Sequence, residues 1–473
     1  MTYTSFGFLL FVAAVYGLCL VCPARGRSAL LLVASYTFYC TWGVNAALAL
    51  AASTIVAFFA GRWAGDTGTP HRGRVTALFT VTLLAAYLAF LKTAAVTALP
   101  RFGRIALPLG VSYYTFKLIS YVLDVYWEKI EPARQLIPFA AYVSFFPQIL
   151  AGPIQRPGDF LRQIPPPRAV FREGAWRIAW GLIKKLAVAD QLAPTVNYVF
   201  SHMKGLHGAE VLAGFYLFPL QLYLDFSALT DIAIGVGRLF GIEGPENFNR
   251  PFTASTITEF WRRWHMSLTT WLADYVFTPL RMSTRKLGKV GLAFSITVNM
   301  VAIGLWHSFT WTFFAFGLLH AGYLTVETLT SRQRSRFLKQ WPAVDQPAGW
   351  LGSLYVYHAT AIAFLFFRAQ SVSDAAWGLT HLLAGIGTLG ADLAHLLGEV
   401  DARSLTVGLA GVALVELAER YRPDRWCARF GESLPLWAQA SLRGAILVVL
   451  AVIIFQILPG FGSSERPFIY EGF

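Results

Sequence analysis

The chain has 473 residues, of which 56% are apolar and only 14% charged, with a net charge of +13. Soluble domains carry roughly 25% charged residues, so a water-soluble fold of this size lacks the polar surface to cover itself. Disordered, collagen-like and nucleic-acid-binding classes fail on the same balance, because their basic charge comes with high polarity.

The expectation is an all-α, polytopic membrane protein whose basic excess sits in cytoplasmic loops and beside anionic headgroups. The first stretch, MTYTSFGFLLFVAAVYGLCLVC, lacks a basic start and is followed by PARGR. That order predicts a retained first span with its N-terminus outside, not a cleaved signal. Apolar stretches follow near residues 29–44, 45–60, 75–98, 107–126, 137–151, 177–200 and 209–224. Others lie near 228–242, 291–306, 309–328, 352–368, 404–418 and 442–459. Against a hydrocarbon core of ~30 Å, these predict about eleven to thirteen membrane helices, the short ones tilted or re-entrant.

Two kinds of break separate the stretches. Basic ones at 61–74, 281–289 and 331–340 read as cytoplasmic loops, as do the arginines Arg25 and Arg27 in 23–28. Pro/Gly interruptions at 107–110, 145–160 and 244–252 fall inside apolar sequence. Non-helical backbone at membrane depth persists only where protein or a water-filled cavity satisfies it, so these breaks predict an internal cavity or funnel. The segment 253–280 mixes Glu259, Arg262, Arg263, His265 and Asp274 with Trp261, Trp264, Trp271 and Tyr275. It reads as an amphipathic or re-entrant helix pair with one face on a polar interior; a peripheral helix on headgroups explains its tryptophans equally well.

Ionisable residues inside apolar spans are costly and so are functional candidates. His307 lies in VAIGLWHSFTWTFFAFG, with His320 beyond it and His265 upstream. For a lone membrane histidine, catalysis and structural hydrogen bonding stand as equal readings. Asp225 and Asp231 in YLDFSALTDIAIG would suit an ion site in a transporter, but a spacing of six places them on different helix faces. Cys19, Cys22, Cys40 and Cys427 form no framework. No metal site is expected, because the chain has no HExxH, no facial triad and no thiolate cluster.

The strings WRRWHMSLTTWLADYVFTPL and GLWHSFTWTFFAFGLLHAG closely resemble the membrane-bound O-acyltransferase family. More narrowly, they resemble its bacterial branch of alginate O-acetyltransferases and teichoic-acid D-alanyl transferases. In family order stand PLGVSYYTF (108–116), FFPQILAGPIQR (145–156), YLDFSALTDIAIGVGRLFGI (223–242), ENFNRPF (246–252), FLFFRAQSVSDA (364–375) and PFIYEGF (467–473). The resemblance implies a single membrane-embedded acyltransferase domain over 1–473. Peripheral helices would occupy 1–100, a funnel-shaped core about 108–375, and C-terminal helices 376–473. It makes His307 the catalytic histidine and His265 the second, partly variable His/Asn position. Asp225, Asn247, Trp261, Trp264 and Trp306 are then candidates for lining the acceptor and donor channels. One departure stands out: Ser308 follows His307 where the family usually has Gly.

What the resemblance implies in function is O-acylation at a cell inner membrane. An acyl group, acetyl from the donor substrate acetyl-CoA, would be taken on the cytoplasmic side and delivered outward to alginate or another envelope glycan. No tightly bound cofactor is expected. The implied partners are a periplasmic acetyltransferase, the polysaccharide acceptor and membrane lipids, with no nucleic acid. A neutral imidazole is the usual base for such a transfer, the role expected of His307; His265 would orient the acceptor or steady the oxyanion. Arg281, Arg285 and Lys286 either meet the donor's nucleotide or set orientation. The alternatives are D-alanyl transfer from a carrier protein to teichoic acid and, in a different class, a polysaccharide or lipid transporter.

Overall fold

Long apolar runs without β-alternation leave the backbone one way to satisfy its own polar groups in lipid, and the described residues are accordingly helical. The structure is a computed structural model that describes residues 1–65, 70–96, 108–164, 171–206, 208–341, 345–382, 384 and 386–421. The expected span 442–459, the PFIYEGF terminus and Cys427 lie outside the described residues.

The N-terminal helices are α1 (Phe6–Val21), α2 (Ala24–Cys40), α3 (Val44–Ala64) and α4 (Pro70–Val96). Next come α5 (Val111–Tyr126), the short α6 (Leu136–Ser144), α7 (Phe146–Ile149) and α8 (Pro157–Leu161), then α9 (Phe171–Leu182) and α10 (Asp190–His202). A π-helical turn, Ile183–Ala189, joins the last two. The middle of the chain forms α11 (Gly208–Leu239), α12 (Ile257–Arg263), α13 (Met266–Leu272), α14 (Thr278–Ser283), α15 (Gly288–His307) and α16 (Trp311–Gln340). The last described helices are α17 (Asp345–Arg368), α18 (Val372–His381), α19 (Leu389–Glu399) and α20 (Ala402–Tyr421).

Five of the described helices are long and apolar enough to cross a membrane: Val44–Ala64, His71–Val96, Gly208–Leu239, Arg285–His307 and Gly349–Arg368. The chain is therefore an all-α polytopic membrane protein. Large apolar side chains such as Leu48, Phe79, Phe90, Val290, Phe294 and Val326 face outward, as lipid-facing residues do.

Three expectations change. The separate stretches at 209–224 and 228–242 are one helix, α11, because Asp225 and Asp231 do not break it. Both carboxylates are neutralised on buried faces by lysines of the preceding π-turn. The basic stretch 331–340 is the end of α16 and not a loop. Its residues 331–337 are exposed, and Arg, Gln and Lys are good helix formers in water. The stretch 137–151 is split into α6 and α7 at Phe145.

The polar groups of that broken segment are met by buried side chains. Lys117 on α5 donates to the Tyr142 carbonyl (3.1 Å) and to Gln148 Oε1 (3.0 Å). Gln148 Nε2 donates to Gln155 Oε1 (2.7 Å), and Gln155 Nε2 to the Glu243 carbonyl (2.7 Å). That broken segment thus lies inside protein, as non-helical backbone at membrane depth requires. Around this block α5 and α11 are buried along nearly their whole length, and they carry the aromatic wall on which the site is built.

Candidate active site

The site starts from a tight helical hairpin. A Cβ on Gly304 of α15 would collide with the Phe313 carbonyl, and one on Gly317 of α16 with the Met300 carbonyl. Small residues at these points let the two backbones touch, so the chain reverses in three residues and holds His307 at the reversal. Ser308 takes φ −158°, ψ 147°, extended backbone open to any residue, so this turn imposes no requirement for glycine there.

His307 is 6% exposed. Its imidazole stacks on Phe313 (5.7 Å between centroids), meets Phe367 of α17 edge-on (4.9 Å) and adjoins Trp306 (4.7 Å). Its carbonyl, left over at the C-terminus of α15, accepts a 2.9 Å hydrogen bond from Lys92 Nζ on α4. Lys92 is itself buried, with its ammonium over the Trp306 ring at 5.8 Å. It has no carboxylate partner among the described residues. Sequence reasoning missed it, although the signal was present: Lys92 stands alone in the apolar run AYLAFLKTAAV.

His265 approaches from the other side. It caps α13 in the left-handed region (φ 43°) and is 1% exposed. Its ring meets Phe226 of α11 edge-on at 4.8 Å and lies 5.6 Å from Trp306. Trp306 therefore contacts both imidazoles.

The corner that carries His265 is held from below. Asn247, fully buried, accepts through Oδ1 from the Ser267 N–H (3.1 Å) and hydroxyl (2.9 Å), and through its carbonyl from the Met266 N–H (2.9 Å). Upstream, Glu327 of α16 takes the first N–H groups of α12, Ile257 (2.7 Å) and Thr258 (3.0 Å). A carboxylate at a helix N-terminus satisfies otherwise orphaned donors and complements the helix dipole.

Of the expected residues, His307, His265 and Trp306 come together, with Asn247 behind His265. Trp264 packs against Phe248 (5.2 Å) and Phe364 (5.1 Å). Trp261 donates from Nε1 to His320 Nδ1 (3.2 Å), which pairs those two residues with each other rather than with His307. Asp225 points to Lys185 (2.7 Å), although its neighbour Phe226 touches His265. Trp261, Trp264 and Trp271 are all buried, so the helix pair lies within the protein and is not a belt on headgroups. Arg285 and Lys286 are exposed at the far end of α15 from His307.

Chemically, the arrangement is a buried imidazole in an aromatic enclosure, its backbone fixed and a second imidazole at hand. Such a group can take a proton from a hydroxyl held against it.

The model of the membrane-bound O-acyltransferase family matches residues 133–368, a range that includes both histidines. A probable alginate O-acetylase of Azotobacter vinelandii is 34% identical over 409 residues, covering 82% of this chain and 79% of that protein. A peptidoglycan O-acetyltransferase of Helicobacter pylori is 29% identical over 325 residues (62% and 60%). A teichoic acid D-alanyltransferase of Bacillus subtilis is 27% identical over 278 residues (55% and 69%).

Proposed function

The chain belongs to the membrane-bound O-acyltransferase family and is an O-acyltransferase, and from that premise we propose that it O-acetylates an envelope polysaccharide, with His307 as general base. The transporter alternative falls with the family. Acetyl is preferred to D-alanyl as the cargo because the alginate O-acetylase is 34% identical and the D-alanyltransferase 27%.

The donor is acetyl-CoA, taken on the cytoplasmic face of a bacterial inner membrane. The acceptor is alginate or a related glycan, reached directly or through a periplasmic transferase. Connectivity supports the sidedness. The start of α2 and the end of α3 lie at one end of the hairpin those two helices form, with Arg25, Arg27 and Arg62 near it, and Arg72 and Arg74 stand at the start of α4. From its start to Lys92, α4 climbs about 33 Å, and α15 climbs about 29 Å to His307 at 1.5 Å per residue. A reaction centre a helix length from the basic ends suits a donor entering from one face and an acceptor from the other.

His265 orients the acceptor, and Asn247 keeps the His265 corner in place. Trp306, Trp264 and Trp261 line the approach, and Asp225 acts through the α11 wall. The observation that carries the reading is the enclosure of His307 beside Trp306 and His265, with its carbonyl held by Lys92.

The test is His307→Gln, which keeps hydrogen bonding but cannot serve as the base. Esterified acetate on the glycan should disappear while membrane abundance stays normal. Acetylation at a substantial fraction of the wild-type level would remove His307 from the catalytic role.

A further inference from the structure

The reading above leaves the carbonyl oxygen of the acyl group without a receiver. When the acceptor oxygen attacks the thioester carbon, the carbonyl π electrons move onto oxygen and the acceptor's proton passes to the imidazole. Collapse then re-forms the C=O bond, breaks C–S, and the departing sulfur takes the proton back. The products are the ester and a free thiol, and the oxygen carries negative charge in between. In a low-dielectric site that charge needs hydrogen-bond donors already in place.

Two such donors stand at the site with nothing to bind. Tyr113 on α5 is 5% exposed and Trp306 is 7% exposed. Neither the Tyr113 hydroxyl nor Trp306 Nε1 has a hydrogen-bond partner among the described residues. The two rings touch edge-on, 5.5 Å between centroids at 84°. Tyr113 also packs on the Gly152 backbone (φ +79°), where a Cβ would come within 2.9 Å of Cε1. The ring thus touches both Gly152 and the tryptophan that contacts His307 and His265. A buried hydroxyl or indole N–H without a partner is costly, and a phenylalanine would fit the same slot without that cost.

We propose that the Tyr113 hydroxyl and the Trp306 indole N–H are the donors that receive the acyl carbonyl oxygen during transfer. The proposal rests on the acetyl-transfer reading. It divides the role expected of His265: acceptor orientation stays with that imidazole, and oxyanion stabilisation passes to Tyr113 and Trp306. Tyr113 lies outside the family match at 133–368, in the PLGVSYYTF motif.

The test uses the full-length chain in inverted membrane vesicles from its own host. Acetyl-CoA is the donor probe, and thiol release and esterified acetate are both measured. Tyr113→Phe removes only the hydroxyl, so the protein should melt at the wild-type temperature or slightly above. Its kcat should fall about 100-fold with little change in KM for acetyl-CoA, the signature of a group needed in the transition state. Trp306→Phe should also lose kcat, and the double variant should lose less than the product of the two, because both donors serve one oxygen. A Tyr113→Phe enzyme with wild-type kcat overturns the proposal while leaving acetyl transfer intact. So does one whose activity falls only as far as its abundance and melting temperature do. Wild-type vesicles that transfer no acetyl overturn the functional reading and this proposal together.

Discussion

One buried polar cluster is built on α11 and a second touches that helix through Phe226, and they differ in how they are satisfied. Behind the helix, Lys185 binds Asp225 (2.7 Å) and Asp190 (2.9 Å). Lys184 binds Asp231, Ser227 (3.0 Å) and Glu419 of α20 (3.3 Å), and Arg177 spans Asp231 and Glu246. Each cation there meets at least one carboxylate. In front of the helix, His307 and His265 sit among aromatic rings, with the Tyr113 and Trp306 donors unmatched and Lys92 spending its contact on a backbone carbonyl. Paired charges tie α11 to its neighbours, and on the proposal above the unmatched donors beside the two histidines await the acyl oxygen.

The comparison breaks first at the paired cluster. Lys185→Met leaves Asp225 buried without its main counter-charge and should cost about 3–5 kcal/mol of stability, read as reduced membrane abundance and melting temperature. The double variant Lys185→Met/Asp225→Leu should recover most of that stability, because no charge is then left buried without its partner. A double variant as unstable as the single one would show that the network does more than balance charge.

Lys92→Met sharpens the contrast from the other side. It removes a buried cation but frees the His307 carbonyl, two opposing effects that leave the melting temperature little changed. The imidazole loses its backbone anchor, and a small misplacement of a reacting group lowers kcat by as much as about 100-fold. Lys92→Arg should restore part of the rate. Unchanged kcat in Lys92→Met would detach α4 from the chemistry.

The smallest effect is expected far from both clusters. His395 on α19 is hydrogen-bonded through Nδ1 to the Glu210 carboxylate (2.6 Å), which raises its pKa above the ordinary histidine value. The folded state then holds the proton more tightly than the unfolded one. The stabilisation is complete below the unfolded value of about 6.5 and is lost as pH rises through the folded value. Thermal unfolding of wild type and His395→Gln should therefore differ at acidic pH and converge at alkaline pH. A constant difference across the range would show that protonation is not involved.

Much of this was legible in the sequence. The helical class follows from composition, and the α12–α13 pair follows from the polar, aromatic segment around His265. His307 stands out because a histidine in an apolar run is costly. The pairings were not legible. Lys92 and His307 are 215 positions apart, and Lys185 and Asp225 are 40 apart. No local periodicity encodes such contacts. For the same reason the aspartates of α11 looked like a break, since their neutralising lysines lie on another helix. The contact of Tyr113 with Trp306 is not legible either, because Tyr113 reads as one more apolar residue of α5 and is distinguished only by having no hydrogen-bond partner among the described residues.

The central claim is that His307 is the base and His265 its helper, and paired asparagine variants test it most directly. Asparagine can donate a hydrogen bond at similar reach but cannot take the proton. Acyl transfer is to be measured for His265→Asn and His307→Asn at matched membrane abundance. The account predicts detectable activity in His265→Asn, reduced by less than the ~100–1000-fold typical of losing a donor outright, and none in His307→Asn. An inactive His265→Asn beside a partly active His307→Asn would reverse the two roles and contradict it.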